Sequence, residues 1–252
     1  MKIAVLIKYC PDSEAVIDVV AGKPKTAGVK FSVGPYEEYA CEEALRKIEA
    51  AGQGEVVVIN AGPEVNNKGL LAELARGADR AIHIVTDEEI ICPVHNAKLL
   101  AAVLRKESPD LILGGWKGID YDNGVTLTFV AEMLGMPHVN VVTKLDIADG
   151  KATAHRQVDG GEEVIEVSLP AVFGAQKGLN EPRYPSLKGI MKAKKKPLEK
   201  FTAKDLGVEH QVGGAGFTKF EKPPSKQAGK KFEGAESAVE VVRLLREEAK
   251  VI

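Results

Sequence analysis

A strict alternation of apolar runs and amphipathic segments restricts the fold of residues 1–134 more than any other feature of this sequence. The apolar runs are short and rich in β-branched residues, as expected for strands buried on both faces. They are KIAVLI (2–7), EVVVIN (55–60), RAIHIV (80–85) and DLILGG (110–115). Segments with helical spacing follow them, at about 35–51, 64–76, 93–106 and 122–134. This order predicts an α/β fold with a doubly wound, mostly parallel sheet and right-handed crossovers.

Beyond Gly135 the pattern changes to runs typical of antiparallel strands. VNVVTKLDI (139–147), KATAHRQVD (151–159) and EEVIEVSLPAVFGA (162–175) are separated by Asp-Gly and Gly-Gly turn signals. We expect them to extend the sheet. Residues 197–233 predict an extended arm, and helical spacing returns over 236–249. We therefore expect one domain over 1–196 and, over 197–252, an arm and helix that pack on another subunit; docking of this tail on its own domain is the alternative.

Charge and cysteine usage narrow the class of protein. A net charge of -2 argues against a general nucleic-acid binder. The chain begins with a strand pattern and has no run of about eighteen apolar residues, so no membrane insertion is expected. Three scattered cysteines predict a reducing compartment, and we expect a cytoplasmic protein.

The loop GGWKGIDYDNGVT (114–126) is the strongest candidate for a ligand site. In open α/β sheets ligands bind beyond the carboxyl ends of the strands, and this loop lies between a predicted strand and a predicted helix. The first amides of that helix, near Asn123 to Thr126, would form an anion site. Asp120 and Asp122 would cap the helix or bind a ribose hydroxyl. A phosphate site and a simple capped glycine turn both remain open, because neither known phosphate-binding fingerprint is matched.

Catalytic motifs are not evident in the sequence. HExxH, GxSxG and CxxC patterns do not occur, and the histidines are dispersed. Asp159 and Glu162 flank two glycines, where such residues usually serve a hairpin turn. We therefore predict no self-contained acid-base site.

The basic segment LNEPRYPSLKGIMKAKKK (179–196) is too rich in turn residues for a core element. Pro182 and Pro185 exclude a ladder strand, and Gly189 is expected to break any helix before Ile190. Apolar side chains lie among lysines in a candidate docking surface: Leu187, Ile190, Met191, Lys192, Lys194, Lys195 and Lys196. Such a surface favours a protein-recognition element with steering charge. A solvated loop leading into a frayed basic helix is the alternative.

Seven sequence motifs, taken in order, resemble the beta (small) subunit of electron-transfer flavoproteins along nearly the whole chain. They are AVLIKYCPD, GPYEEYACEEALR, INAGP, GADRAIHI, GGWKGIDYDNG, VDGGEEVIEVSLPAV and NEPRYPSLKGIMKAKKK. The last two are the most specific of these motifs.

This resemblance implies a heterodimer with an alpha subunit that holds a redox FAD, the beta subunit forming one face of that site. It implies an adenine nucleotide alpha hydrolase-like fold with a structural AMP in this subunit. It also implies transfer of electrons from acyl-CoA dehydrogenases, the donors in fatty acid oxidation, to a membrane quinone oxidoreductase. Leu187 is similar to the anchoring leucine of the family's recognition loop.

The resemblance also implies a set of nucleotide contacts. The corresponding residues are Leu6, Lys8, Gly34, Pro35, Tyr36, Glu37, Ala61, Gly115, Gly118, Asp120, Asn123, Gly124, Val125 and Thr126. Tyr121, Gly124 and Val125 depart from the pattern IDDDxNQTGQ of AMP-binding members. The pattern DGDTAQVGP of bifurcating relatives, which hold a second FAD and oxidise NADH, is not matched either. AMP is favoured over a second FAD, and a stand-alone nucleotide sensor is a further alternative. Gln157 stands where an acidic residue that contacts the other subunit is frequent.

Overall fold

Nine strands form the central sheet in the part of the chain that the computed structural model describes, residues 1–208, 217–225 and 228–252. In chain order the strands are β1 (Lys2–Leu6), β2 (Tyr9–Pro11), β3 (Asp18–Val20), β4 (Lys23–Lys25), β5 (Phe31–Val33), β6 (Glu55–Gly62), β7 (Arg80–Val85), β8 (Leu111–Gly115), β9 (His138–Ala148), β10 (Lys151–Val158), β11 (Gly161–Ser168), β12 (Ala171–Ala175) and β13 (Leu198–Thr202). The helices are α1 (Pro35–Ala51), α2 (Asn67–Arg76), α3 (Pro93–Glu107), α4 (Thr126–Leu134), α5 (Leu187–Ala193) and α6 (Ala238–Glu247).

The order of the strands confirms the predicted α/β class. It is β11-β10-β9-β12-β8-β1-β6-β7-β13, and all neighbours from β9 to β13 run parallel. The chain passes outward from β1 through β6 to β7 and then returns to β8 on the other side of β1. The connection therefore reverses between β1 and β8, which is where open sheets of this kind bind ligands.

Helices cover the sheet on both faces. In β1, Ile3 and Val5 pack in the layer that contains α1, α2 and α5, whereas Ala4 and Leu6 pack in the layer of α3 and α4. Successive residues of a strand point to opposite faces, so a strand buried on both sides needs apolar residues throughout. This is the physical reason for the continuous apolar runs in the sequence. No helix in the described ranges combines the length and apolar character that a membrane crossing requires.

The run 162–175 is not one antiparallel strand, so that part of the prediction was wrong. It divides at Pro170, which follows a cis peptide bond, into β11 and β12. β11 is an exposed antiparallel edge strand, whereas every residue of β12 is buried and the strand inserts in parallel between β8 and β9. Proline has no amide hydrogen to continue a ladder, and the change from EEVIEVS to AVFGA marks the change from edge to centre.

The predicted extended arm begins with a strand that the prediction missed. β13 pairs in parallel with β7. Leu198 packs on one face of the sheet and Phe201 on the other, and both contacts stabilise the strand at this edge. The helix predicted near the end of the chain is present as α6. Residues 209–216 and 226–227 of the predicted arm lie outside the described residues.

Gly189 does not break a helix, contrary to the prediction, and lies within α5. The Ser186 hydroxyl caps α5 by accepting a hydrogen bond from the Gly189 amide at 3.0 Å. A Cβ atom at Gly189 would lie 2.2 Å from the carbonyl oxygen of Ala75 in α2. The glycine is therefore required for close contact between α5 and α2, and this packing stabilises the helix.

The sequence had suggested that Lys196 presents a free charge on the docking surface, but the structure shows that its ammonium is bound. Its ammonium donates hydrogen bonds to the carbonyl oxygens of Leu74 (3.0 Å), Gly77 (3.2 Å) and Ala78 (2.6 Å). These carbonyls lie at and just beyond the end of α2, where the helix leaves acceptors without partners. Lys196 thus anchors the segment that follows α5 to the end of α2.

We predict that Lys196→Met lowers the free energy of unfolding by about 1 to 3 kcal/mol, because carbonyl groups at the end of α2 lose their charged donor. Lys195→Met is the matched control, since Lys195 is exposed. Its effect should stay within about 0.5 kcal/mol. Urea unfolding of both variants measures the difference, and equal losses would contradict the anchoring role.

Candidate functional site

A cleft opens at the carboxyl end of the sheet, where the strand order reverses between β1 and β8. Its walls come from the residues that follow β1, from the loop between β8 and α4, and from the β7–α3 connection. The open volume, including the mouth, is about 660 Å³.

Most of the residues that were predicted to contact a nucleotide line this cleft. They are Leu6, Lys8, Glu37, Gly115, Gly118, Asp120, Asn123, Gly124, Val125 and Thr126. The fold therefore brings together, in one cleft, predicted residues from several parts of the chain.

Four other predicted residues lie outside the lining of the cleft. Gly34, Pro35 and Tyr36 begin α1 behind the cleft wall, where a Cβ atom at Gly115 would lie 2.9 Å from the Tyr36 Cβ. Ala61 is buried near the end of β6.

The sequence reasoning missed the opposite wall of the cleft. It consists of Ile90, Ile91, Pro93, Asn96 and Leu100. The segment follows the carboxyl end of β7, so it lies at the same edge of the sheet as the other loops. That position, with Pro93 opening a helix, was the available signal.

Helix α4 begins at Thr126, later than the predicted start at about Asp122. Asp122 and Gly124 have φ values of 51° and 63°, and this left-handed backbone cannot continue into a right-handed helix. No side chain caps the start of α4. The first helical bond runs from the Phe129 amide to the Val125 carbonyl at 3.0 Å, so the amides of residues 126–128 have no partner within the helix.

The two aspartates of the loop do not cap α4. Asp120 pairs with the Lys8 ammonium at 2.6 Å, and one of its oxygens accepts the Tyr121 amide at 2.9 Å. Asp122 pairs with Lys117 at 2.9 Å. The Lys8 ammonium also lies 4.7 Å from the centre of the Tyr121 ring. These contacts fix the shape of the loop and leave the open end of α4 to the cleft.

Two buried glutamates lie close to the cleft. Glu37 is 4% exposed and lines the cleft, and burial raises its pKa to about 8. Glu73 on α2 is 0% exposed, and burial, partly offset by the nearby Arg76 guanidinium, raises its pKa to about 7. Both carboxyl groups therefore bind protons in the folded protein at pH values where exposed carboxyls are ionised.

The docking surface lies on α5 and on the residues that follow it. Leu187 is 82% exposed and Met191 is 67% exposed. Three lysines beside them are also exposed: Lys192, Lys194 and Lys195. Ile190 is half exposed between the two apolar side chains. With Lys196 excluded, these six residues form the docking patch.

The docking patch stands on a rigid base. Arg183 makes a bidentate pair with Glu42 of α1, with Nε 2.8 Å from Oε2 and Nη2 3.1 Å from Oε1. Burial alone would raise the pKa of Glu42, but the hydrogen bonds from Arg183 and Arg46 hold it below its usual value. Asn180 donates to the Tyr39 carbonyl at 2.9 Å. The segment before α5 is thus fixed to α1, in contrast to the solvated loop of the alternative interpretation.

Helix α6 carries an apolar stripe that the described residues leave exposed. Val239, Val242 and Leu245 share the helical spacing, and none of the helix residues is buried. An amphipathic helix gains most of its stability by burying such a stripe, so α6 has an apolar face available for a partner.

Comparison with known proteins gives matches over nearly the entire chain. A family model described as "Electron transfer flavoprotein domain" matches residues 25–206. A protein of Syntrophomonas wolfei subsp. wolfei is 42% identical over 92% of this chain and 90% of its own length. A protein of Bacillus subtilis (strain 168) is 41% identical over the whole of both chains, and a Mus musculus protein is 36% identical over 94% of this chain and 90% of its own. All three are named electron transfer flavoprotein subunit beta.

We predict that stability falls as the pH rises, in part because of Glu73. Its folded-state pKa of about 7 lies above the ordinary value of 4.5, so its stabilising contribution is complete below pH 4.5 and is lost as the pH rises through 7. The free energy of unfolding should therefore fall less between pH 5 and pH 8 in Glu73→Gln than in the wild type. The difference between the two proteins should be about 2 to 3 kcal/mol at most.

Urea unfolding at pH 5, 6.5 and 8 tests this expectation. Glu132→Gln, which removes an exposed carboxyl of α4, serves as the control and should leave the pH dependence unchanged. Arg76 keeps its ion pair with Glu38 in the Glu73 variant. A Glu73→Gln profile parallel to that of the wild type would contradict the prediction.

Proposed function

This chain belongs to the electron transfer flavoprotein family as one of its beta subunits, and on that premise we propose that it forms a heterodimer with an alpha subunit and shares a redox FAD with it. The similarity over the full length of both chains carries the proposal. FAD supplies the redox chemistry when bound. The part of this chain is to form one face of the flavin site and to position the partners.

We further propose that the cleft between β1 and β8 binds AMP as a structural nucleotide. The amides at the start of α4, which have no partner within the helix, and the Thr126 hydroxyl suit a phosphate group. Ile90 and Leu100 on the opposite wall offer apolar surface to a base. The hydrogen-bond donors and the apolar surface together fit a nucleotide. Gly118 leaves the space that the Lys8–Asp120 pair occupies.

The proposed electron donors are acyl-CoA dehydrogenases, and the proposed acceptor is a membrane quinone oxidoreductase. The docking patch supports this part of the proposal, because an exposed leucine with neighbouring lysines suits an acidic surface that contains an apolar pocket. Cys10 and Cys41 are buried thiols and Cys92 is a partly exposed one, in keeping with the proposed cytoplasmic location.

The C-terminal region, residues 197–252, is proposed to contact the alpha subunit through α6. The exposed stripe of Val239, Val242 and Leu245 supports this contact, since it has the length and spacing of a helix that packs in a partner's groove.

Co-expression with an alpha subunit tests the proposal. We expect a yellow heterodimer that survives gel filtration, and a colourless stable monomer would contradict it and favour the stand-alone nucleotide sensor. Extraction and counting of flavin then identifies the nucleotide of the cleft. One flavin per heterodimer, together with one AMP, supports plain electron transfer, whereas two flavins indicate a second FAD and bifurcation with NADH oxidation.

We predict that Leu187→Ala weakens association with an acyl-CoA dehydrogenase by about 1.5 to 3 kcal/mol, because the apolar anchor is lost. Flavin content should not change, since Leu187 lies on α5 away from the cleft. Val65→Ala is a matched control, because Val65 is also exposed but lies outside the docking patch. Steady-state electron transfer at varied flavoprotein concentration measures both variants, and equal kinetics for Leu187→Ala and wild type would exclude the anchor.

A further inference from the structure

Glu37 is a buried acid at the wall of the cleft, and a hydrogen bond from its own backbone satisfies only part of its carboxyl group. It is 4% exposed, and its Oε2 atom has no hydrogen-bond partner among the described residues. Burial of a polar atom without a partner costs about 1 to 3 kcal/mol, so such an atom in a cleft calls for an explanation.

The position of Glu37 in α1 does not supply that explanation. Glu37 is the third residue of the helix, where a glutamate commonly reaches back to the amide of the residue before the helix. In this structure the Gly34 amide donates instead to the Lys8 carbonyl at 3.1 Å. The usual capping role is therefore already filled, and the Glu37 Oε2 atom remains available to the cleft.

Two glycines make room for this carboxyl. A Cβ atom at Gly34 would lie 2.2 Å from the Glu37 Oε2, and a Cβ atom at Gly115 would lie 2.9 Å from the same oxygen. Side chains at either position would displace Glu37 from the wall. The carboxyl thus occupies a space that the backbone leaves for it, beside the loop that leads to the start of α4.

We infer that Glu37 is a specificity-determining residue that binds the nucleotide as an undissociated acid, by donating a hydrogen bond to an acceptor atom of the ligand such as a purine ring nitrogen. This inference deepens the proposed function, because it rests on the cleft being a nucleotide site. It assigns different parts of the ligand to two parts of the cleft. The amides at the start of α4 bind the phosphate, and the acid of Glu37 donates a hydrogen bond to the base.

The electrostatic surroundings favour the acid form near neutral pH. Burial raises the pKa of Glu37 to about 8, and the charged groups around it are Lys8, Asp120 and Glu73. Lys8 lowers the pKa of Glu37, whereas Asp120 and Glu73 raise it. The Cys10 thiol is also near, and burial raises its pKa to about 12, so it stays neutral up to pH 9. Glu73 titrates near pH 7 and needs its own control.

The test is the affinity for AMP at pH 7 and pH 9, measured by calorimetry on the heterodimer after dialysis has removed bound nucleotide. The AMP phosphate is a dianion at both values, since its second pKa is about 6. The wild-type affinity should fall about tenfold from pH 7 to pH 9 as Glu37 ionises. Glu37→Gln carries an amide donor at either pH and should show no such fall. Glu37→Leu should bind AMP weakly at both values.

Glu73→Gln is the matched control, because it also replaces a buried, protonated glutamate but does not line the cleft. It should keep a fall in affinity with rising pH, at a slightly lower pH because Glu73 no longer raises the pKa of Glu37. A wild-type affinity that rises with pH would overturn the inference, since it would mean that the carboxylate accepts a hydrogen bond. The same pH profile in wild type and Glu37→Gln would also overturn it, while leaving the proposed function intact. A yellow heterodimer that binds no AMP at either pH would overturn the inference together with the proposed AMP site.

Discussion

Burial of both faces of the parallel sheet is the constraint on which the rest of this structure depends. In β1, the residues after Lys2 are all apolar and pack in two helical layers. Few polar residues are buried within the central strands, and those that are make hydrogen bonds, as Asn60 does with the Ile7 carbonyl and His83 with the Gly62 carbonyl. Where the chain reverses between β1 and β8, the loops from three strands converge on one cleft, and the ligand chemistry collects there.

Helix α1 connects the two functional regions of the molecule. Its first turn supplies Glu37 to the cleft, and later turns supply Glu42 and Glu43, which hold Arg183 and Asn180 of the segment before α5. Both regions therefore depend on the packing of a single helix against the sheet. This arrangement explains why buried glutamates recur along α1: each accepts a charged or polar partner from another part of the chain, except Glu37, which faces the cleft.

The sequence predicted the parts of the fold that have strong local signals, and it failed where distant contacts decide. The continuous apolar runs of β1, β6, β7 and β8 required burial on both faces, so their prediction was secure. Gly189 and Lys196 were misjudged because their roles depend on α2, far away in sequence. In the cleft, the glycine loop predicted one wall. The apolar wall near Ile90 was missed, since ordinary core residues carry no motif.

The exposed edge of the sheet has a consequence for aggregation of the chain. β11 is the last strand at one end, and its backbone groups on the outer side are open to pairing with another chain. Glu162, Glu163 and Glu166 place carboxylates along this strand, where they contact Lys151, His155 and Arg156 of β10, and charged side chains on an edge strand disfavour pairing with a second copy. This edge of the sheet is therefore protected against strand-to-strand aggregation.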